Sequence, residues 1–212
     1  MLVLRDFVKS HPGELILFDI NHFYSMEDQD HVNLVDLVNV TIGEYLVPYH
    51  EYVDYERFVP KTLHNLTLES LGPTQRVIMF YHDDFGVNQS GHIFWPSSTI
   101  DDIWPQTDKP IDMIEAMDKT YEQRGATREE FNITEAPLHF YVYQGILTAD
   151  GDTITANVLG SIYKNFVTSA TSSTVNWLLA KRNNEEGLFN IVIADGVEAF
   201  NFLPTVVAMN IF

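Results

Sequence analysis

The sequence has no cysteine. That removes disulfides, zinc-thiolate sites and thiol nucleophiles together, but it assigns no compartment, because secreted proteins can lack cysteine too. Basic residues are scarce: 12 Lys plus Arg stand against 30 Asp plus Glu, a formal charge of -18. A field of that sign repels nucleic acid and strongly anionic membrane surfaces, which argues against a nucleic-acid role. No stretch approaches the run of about 20 apolar residues needed to cross a bilayer, and Met1 to Ser10 reads as amphipathic helix, not as a signal peptide. Nor does a Gly-rich phosphate loop follow any apolar run, so an open doubly wound sheet lacks its usual site.

What is present is an ordinary globular composition, 212 residues with 45% hydrophobic, long enough to bury a core in one domain. Leu2 to His11 places Leu2, Leu4, Phe7 and Val8 on one helical face before His11-Pro12-Gly13 stops it. Leu15 to Ile20 is a short apolar run bounded by Gly13 and by polar Asn21-His22, as a buried parallel strand would be. Asp30 is then placed to cap a helix running through Leu34, Leu37, Val38 and Ile42 toward Leu46, where Pro48 ends it. The alternation recurs. Arg76–Tyr81 reads as a second strand, with a helix from Pro110 to Arg124 after it. Leu138–Gln144 reads as a third, followed by helical pattern over Thr153–Phe166 and Ser173–Lys181. Asn190–Ala194 reads as a fourth, ending at Asp195, with a last helix near Val197–Met209. Four βα units argue for an α/β protein with a parallel sheet covered on the outside, half of an eight-stranded barrel more readily than an open sheet. The long stretch from Val47 to Pro73 reads as an excursion on the loop face.

The residues Phe18-Asp19-Ile20-Asn21-His22-Phe23-Tyr24-Ser25-Met26 resemble the strand-and-loop signature Leu-Asp-Phe-Asn-His-Phe-Tyr-Gly-Met of animal phosphatidylinositol-specific phospholipase C X-domain-containing proteins. Three further blocks follow in that family's order: Val77 to His82, then Phe94-Trp95-Pro96 with Ile103 to Thr107, then Asn190 to Asp195 running on to Asn210. The resemblance implies the C-terminal half of a distorted (β/α)8 TIM barrel, with residues 1–212 as a partial domain whose N-terminal half is absent. It also implies a phosphoric diester hydrolase that cleaves phosphoinositide-like lipids. In that scheme one histidine is general base on the inositol 2-hydroxyl and a second protonates the departing diacylglycerol oxygen. Both belong to motifs expected before Met1, and none of the eight histidines here lies in a Gly-Ser-His-Asp segment. The expectation for this chain alone is therefore no activity, with a non-catalytic inositol-phosphate-binding or interaction module as the alternative.

By the same resemblance Asp195 is the carboxylate that orients the first histidine; its other reading is a cap on the following helix. Asn21 ends the first strand where bacterial relatives present Lys and calcium-dependent relatives present Glu. It supplies no charge, which argues against a strong calcium site and leaves no cofactor or metal expected. Asp19 shares a strand face with Asn21 by period-two alternation, and a buried carboxylate there needs a partner. His22 and His82 follow strands at the same end. Asp83 and Asp84 beside His82 would favour its protonated form and a phosphate contact. Gln144 could hydrogen-bond inositol hydroxyls. Each of these four substrate-contact assignments competes with a structural or surface role. The two Trp-Pro blocks read either as a lipid-facing rim or as loop packing. Expected partners are a phosphoinositide-like lipid or inositol phosphate, and self-association through strand edges that half a barrel leaves open. Four Asn-x-Ser/Thr sequons, at Asn39, Asn65, Asn88 and Asn132, leave the compartment open between cytoplasmic and secreted.

Overall fold

The fold is described by a computed structural model, which describes residues 1–51, 53–54, 59–60, 69–131, 139–156, 160–161, 163–182 and 189–209. About half of the segment from Val47 to Pro73, part of the helical pattern over Thr153–Phe166, and the sequons at Asn65 and Asn132 lie outside the described residues. The chain divides into two compact units, residues 1–100 with 131–139, and residues 101–130 with 140–212.

The first unit opens with helix α1 (Leu2–Ser10), then strand β1 (Ile16–Ile20) and helix α2 (Asp28–Ile42). Helix α2 starts earlier than Asp30 because Glu27 caps it. The Glu27 side chain accepts from the Asp30 N–H, and Asp30 Oδ2 accepts from the Glu27 N–H at 3.0 Å, a reciprocal box that satisfies two free N–H groups. His31, Val35, Val38 and Ile42 fall at helical spacing and form its buried stripe. After Ile42 the chain tightens into a 3-10 turn at Gly43–Tyr45, so the helix ends well before Pro48. Two short antiparallel strands, β2 (Val53–Asp54) and β3 (Val59–Pro60), precede β4 (Val77–Tyr81). Helix α3 (Asp84–Gln89) and strand β5 (Trp95–Pro96) follow.

Strand β4 is central in the order β1-β4-β5 and pairs in parallel with both neighbours, Phe18 opposite Met79 and Tyr81 opposite Pro96. All five β4 side chains are buried, as a parallel strand covered on both faces requires; burial of each large one stabilises by about 1.5–3 kcal/mol. Strand β1 is the outer strand, with its residues alternating between half-buried and exposed.

The second unit carries β6 (Ile100–Asp101) at its start, helix α4 (Pro110–Phe131), β7 (Phe140–Gly145), α5 (Gly151–Ala156), α6 (Thr168–Lys181), β8 (Ile191–Ala194) and α7 (Phe202–Met209). Its sheet runs in the order β6-β7-β8, with β7 parallel to β8 and Gln144 opposite Ile193. Of the expected helix over Thr153–Phe166, the described residues include α5 as far as Ala156 and a π-helical turn at Tyr163–Val167 that leads directly into α6. Met113, Met117, Tyr143, Trp177 and Leu178 are central to this unit's core. The four strands expected from apolar runs, β1, β4, β7 and β8, are thus all present and parallel in pairs, in two three-stranded sheets beside the two-stranded β2-β3 pair.

Candidate functional site

Strands β1 and β4 point the same way, so the residues that leave their C-terminal ends stand together. His82 Nε2 lies 2.8 Å from Asp19 Oδ1, an ion pair when the ring is protonated, although the approach is off the line of an aligned N–H bond. Asn21 Nδ2 donates to Asp19 Oδ2 at 3.0 Å, and the Asn21 carboxamide oxygen accepts from His22 Nδ1 at 2.7 Å. Three of the predicted residues, Asn21, His22 and His82, are therefore joined into one chain through Asp19. Period-two alternation had already set Asp19 and Asn21 on one face, and the partner Asp19 needed is His82. The carboxylate serving His82 is this one rather than Asp83 or Asp84. Asp83 is instead committed to helix α3, where its Oδ1 accepts from the Gly86 N–H at 2.8 Å.

The backbone at His22 is left-handed, φ 59°, as it is at Ser25, φ 55°. A non-glycine residue there is uncommon and costs on the order of 1 kcal/mol or more, so the surrounding contacts must hold it. His22 is exposed, with its ring stacked beside Tyr24 at 5.9 Å.

Behind this polar chain lies a buried cluster that sequence reading did not single out. His31 Nδ1 and Tyr81 Oη are 2.8 Å apart, Asp83 Oδ1 is 3.6 Å from the same nitrogen, and the Phe23 ring packs on both His31 and Tyr81. Burial, with the Asp83 charge second, pushes the Tyr81 phenol up to about 12, so it remains a neutral hydroxyl. The only signal available in sequence was that His31 shares the helical stripe of Val35, Val38 and Ile42.

In the second unit Gln144 is the last but one residue of the buried strand β7 and is itself 5% exposed. Its Nε2 faces the Asp102 carbonyl at 3.4 Å, and its Oε1 is buried without a hydrogen-bond partner among the described residues. Asp195 follows β8 and is exposed; its backbone carbonyl accepts from Thr171 Oγ1. No helix begins at Asp195, because α7 starts only at Phe202, so the capping alternative does not describe this residue. Each unit thus presents polar side chains at the C-terminal ends of its parallel strands: Asp19, Asn21, His22 and His82 in the first, Gln144 and Asp195 in the second.

Asn21 spends both amide atoms on Asp19 and His22, and no group of three or more His, Asp or Glu side chains among the described residues is placed to hold a metal. The two Trp-Pro blocks differ from each other. Phe94 and Trp95 are fully buried, with Trp95 Nε1 donating to the Val47 carbonyl at 2.7 Å, whereas Ile103 and Trp104 are 40% and 47% exposed. Trp104 Nε1 donates to Thr148 Oγ1. No helix among the described residues is long and apolar enough to cross a membrane.

Parallel strands followed by helices, with polar groups gathered where the strands end, make this an α/β protein. Comparison with known proteins is more specific. The chain is 27% identical over 211 residues to PI-PLC X domain-containing protein 2 of Mus musculus, covering 99% of this chain and 55% of that protein. It is 25% identical over 213 residues to PI-PLC X domain-containing protein 3 of Danio rerio, covering 99% and 58%. To PI-PLC X domain-containing protein 3 of Homo sapiens it is 24% identical over 209 residues, covering 98% and 57%. The chain is thus similar over nearly its whole length to PI-PLC X domain-containing proteins. It spans somewhat over half the length of these curated relatives. No family model and no solved structure matches it.

Proposed function

We propose that the whole protein is a phosphoric diester hydrolase of the phosphatidylinositol phospholipase C type, and that this chain supplies the C-terminal half of its distorted (β/α)8 barrel. The observation that carries the reading is the gathering of polar side chains at the strand ends, in a chain similar over nearly its whole length to PI-PLC X domain-containing proteins. A phosphodiester head group needs an in-line nucleophile, a base and an acid, and groups that hold the ring hydroxyls. Asp195 is the residue offered to the base: an exposed carboxylate at a strand end can accept from an imidazole Nδ1–H, fix its tautomer and stabilise the imidazolium. Asn21, His22, His82 and Gln144 are offered to the head group. The histidine pair itself is not among the eight histidines in the context the family uses.

Two experiments test this. The whole protein should release inositol phosphate from phosphatidylinositol vesicles; failure to do so under any tested calcium concentration overturns the enzyme reading. The 212-residue chain alone should give no turnover, and histidine-dependent turnover by that chain would overturn the assignment of the acid and base to the other half. A second reading is a non-catalytic module that binds inositol phosphate through the strand-end polar residues of the first unit. Saturable binding without turnover by the whole protein would establish that one.

A further inference from the structure

The loop that carries Asp195 is held by contacts from outside itself. Strand β8 ends at Ala194 and α7 begins only at Phe202, so residues 195–201 connect them. Three of these residues have left-handed backbones: Gly196 at φ 62°, Phe200 at 54° and Asn201 at 59°. Phe200 and Asn201 carry side chains, for which that conformation is costly, so without outside contacts the loop would relax to another shape.

Those contacts come from the π-helical turn and from α6, in the same unit. Thr171 is wholly buried on α6, and its Oγ1 donates to the Asp195 backbone carbonyl. A threonine inside a helix commonly spends its hydroxyl on the carbonyl four residues back, as Thr174 does with Ala170. Thr171 spends it across to the loop instead. A Cβ built on Gly196 would lie 2.5 Å from Val167 Cγ1 and 3.4 Å from the Tyr163 ring, so a glycine is what lets the chain turn directly against that surface. On the exposed side Tyr163 Oη donates to Glu198 Oε1 at 3.3 Å. The turn and the helix are themselves tied, since Thr168 Oγ1 donates to the Tyr163 carbonyl at 2.8 Å. The Asp195 backbone is thus anchored to a buried helix while the residue itself stays exposed.

Resting on the phospholipase-type reading above, we propose that Thr171 is a positioning residue for Asp195, with Gly196 and the Tyr163–Glu198 contact completing a clamp on the loop. A carboxylate that orients an imidazole works only within hydrogen-bond reach, and a displacement of about 1 Å can cost on the order of a hundredfold in rate. Because Thr171 acts through Asp195 alone, its loss bears on kcat and not on KM.

Thr171→Val keeps the shape and removes the donor. In the 212-residue chain, hydrogen exchange read by mass spectrometry should then quicken at least about threefold over residues 195–202 and stay unchanged in β7. The Ala199 and Phe202 N–H groups, bonded to the Gly196 and Ala199 carbonyls, report that change. In the whole protein acting on phosphatidylinositol vesicles, kcat should fall about tenfold with KM within about twofold. Thr171→Ser, which keeps the hydroxyl, should recover most of that loss. In an Asp195→Asn background Thr171→Val should cost less than about twofold more, because the group it positions is already disabled. Unchanged exchange overturns the clamp. Quickened exchange with unchanged kcat, or losses that multiply in the double variant, overturns the positioning role. If Thr171→Val does not fold, Tyr163→Phe at an exposed position takes its place, with a fall of about twofold in kcat that disappears in Asp195→Asn; an unchanged rate there overturns the proposal. No turnover by the unsubstituted whole protein, with exchange over residues 195–202 still quickened by Thr171→Val, overturns the phospholipase-type reading and with it the catalytic purpose of the clamp.

Discussion

A methyl group added at Gly145 has nowhere to go. Its Cβ would lie 2.2 Å from Thr174 Oγ1, 2.9 Å from Thr174 Cγ2 and 3.0 Å from the Ile193 carbonyl oxygen. Neither neighbour can step aside. Thr174 is wholly buried on α6 with its hydroxyl bonded to the Ala170 carbonyl at 2.9 Å, and Ile193 belongs to the β8 backbone that pairs with Gln144. Over-packing a close-fitted core by one methyl costs about 1–3 kcal/mol, and contacts this short place Gly145→Ala toward the upper end. With a denaturant slope of about 2 kcal/mol per molar, the urea midpoint should fall by roughly 1 M. Fluorescence of Trp177, buried in the same unit, follows the transition. Thr174→Ala removes two of the three close contacts. The double variant should therefore be more stable than Gly145→Ala alone, with a coupling of about 1 kcal/mol or more. An unchanged midpoint in Gly145→Ala, or losses that simply add in the double variant, would refute the argument. The consequence reaches the candidate site, since Gly145 holds β7 against α6 and β8 next to Gln144.

Other outcomes follow from the same geometry. Tyr81→Phe removes the buried partner of His31 Nδ1 and should cost about 1–3 kcal/mol in urea unfolding; a loss under about 0.5 kcal/mol would mean that the contact is not maintained. Burial raises Tyr81, so it stabilises fully below the ordinary phenol value near 10, and that contribution is lost as pH rises toward about 12. Alkaline unfolding should be less steep in Tyr81→Phe. Burial pushes the Asp118 carboxyl up, but hydrogen bonds from Lys181 and Trp177 and the Lys181 charge outweigh it and hold the group below its ordinary value. Its contribution is therefore present above about pH 4 and lost as pH falls through the lowered value. The wild-type midpoint should drop more steeply there than that of Asp118→Asn; parallel curves would contradict the pairing. Strand β1 is the outer strand of its sheet and leaves Leu15 and Leu17 about one-third exposed, so the isolated chain should self-associate in sedimentation velocity. A monodisperse monomer across a hundredfold dilution would show that the edge is otherwise protected.

The strands were legible because a buried parallel strand is a short apolar run between turn residues, and Val77–Tyr81 and Ile191–Ala194 are little else. Polar geometry was less so. The tandem Asp83-Asp84 beside His82 suggested a local partner, but a strand end and the helix after it turn Asp83 toward its own N–H groups, and the carboxylate that meets His82 comes from β1 across a parallel pairing. The start of α2 was read at Asp30 because Asp is a common cap; the box with Glu27 makes Asp30 the third residue inside the helix. Buried Phe94-Trp95 and exposed Ile103-Trp104 share one composition, and only packing separates them. The role of His31 was hidden because a histidine on an apolar stripe gives no sign of its cross-element partner.

The rate at which the whole protein hydrolyses phosphatidylinositol, compared between wild type and Asp195→Asn, tests the central claim most directly. The account predicts a loss of about tenfold or more in kcat with circular dichroism and urea midpoint unchanged, because the substitution removes only the charge offered to the base. Equal rates in the two proteins would contradict it.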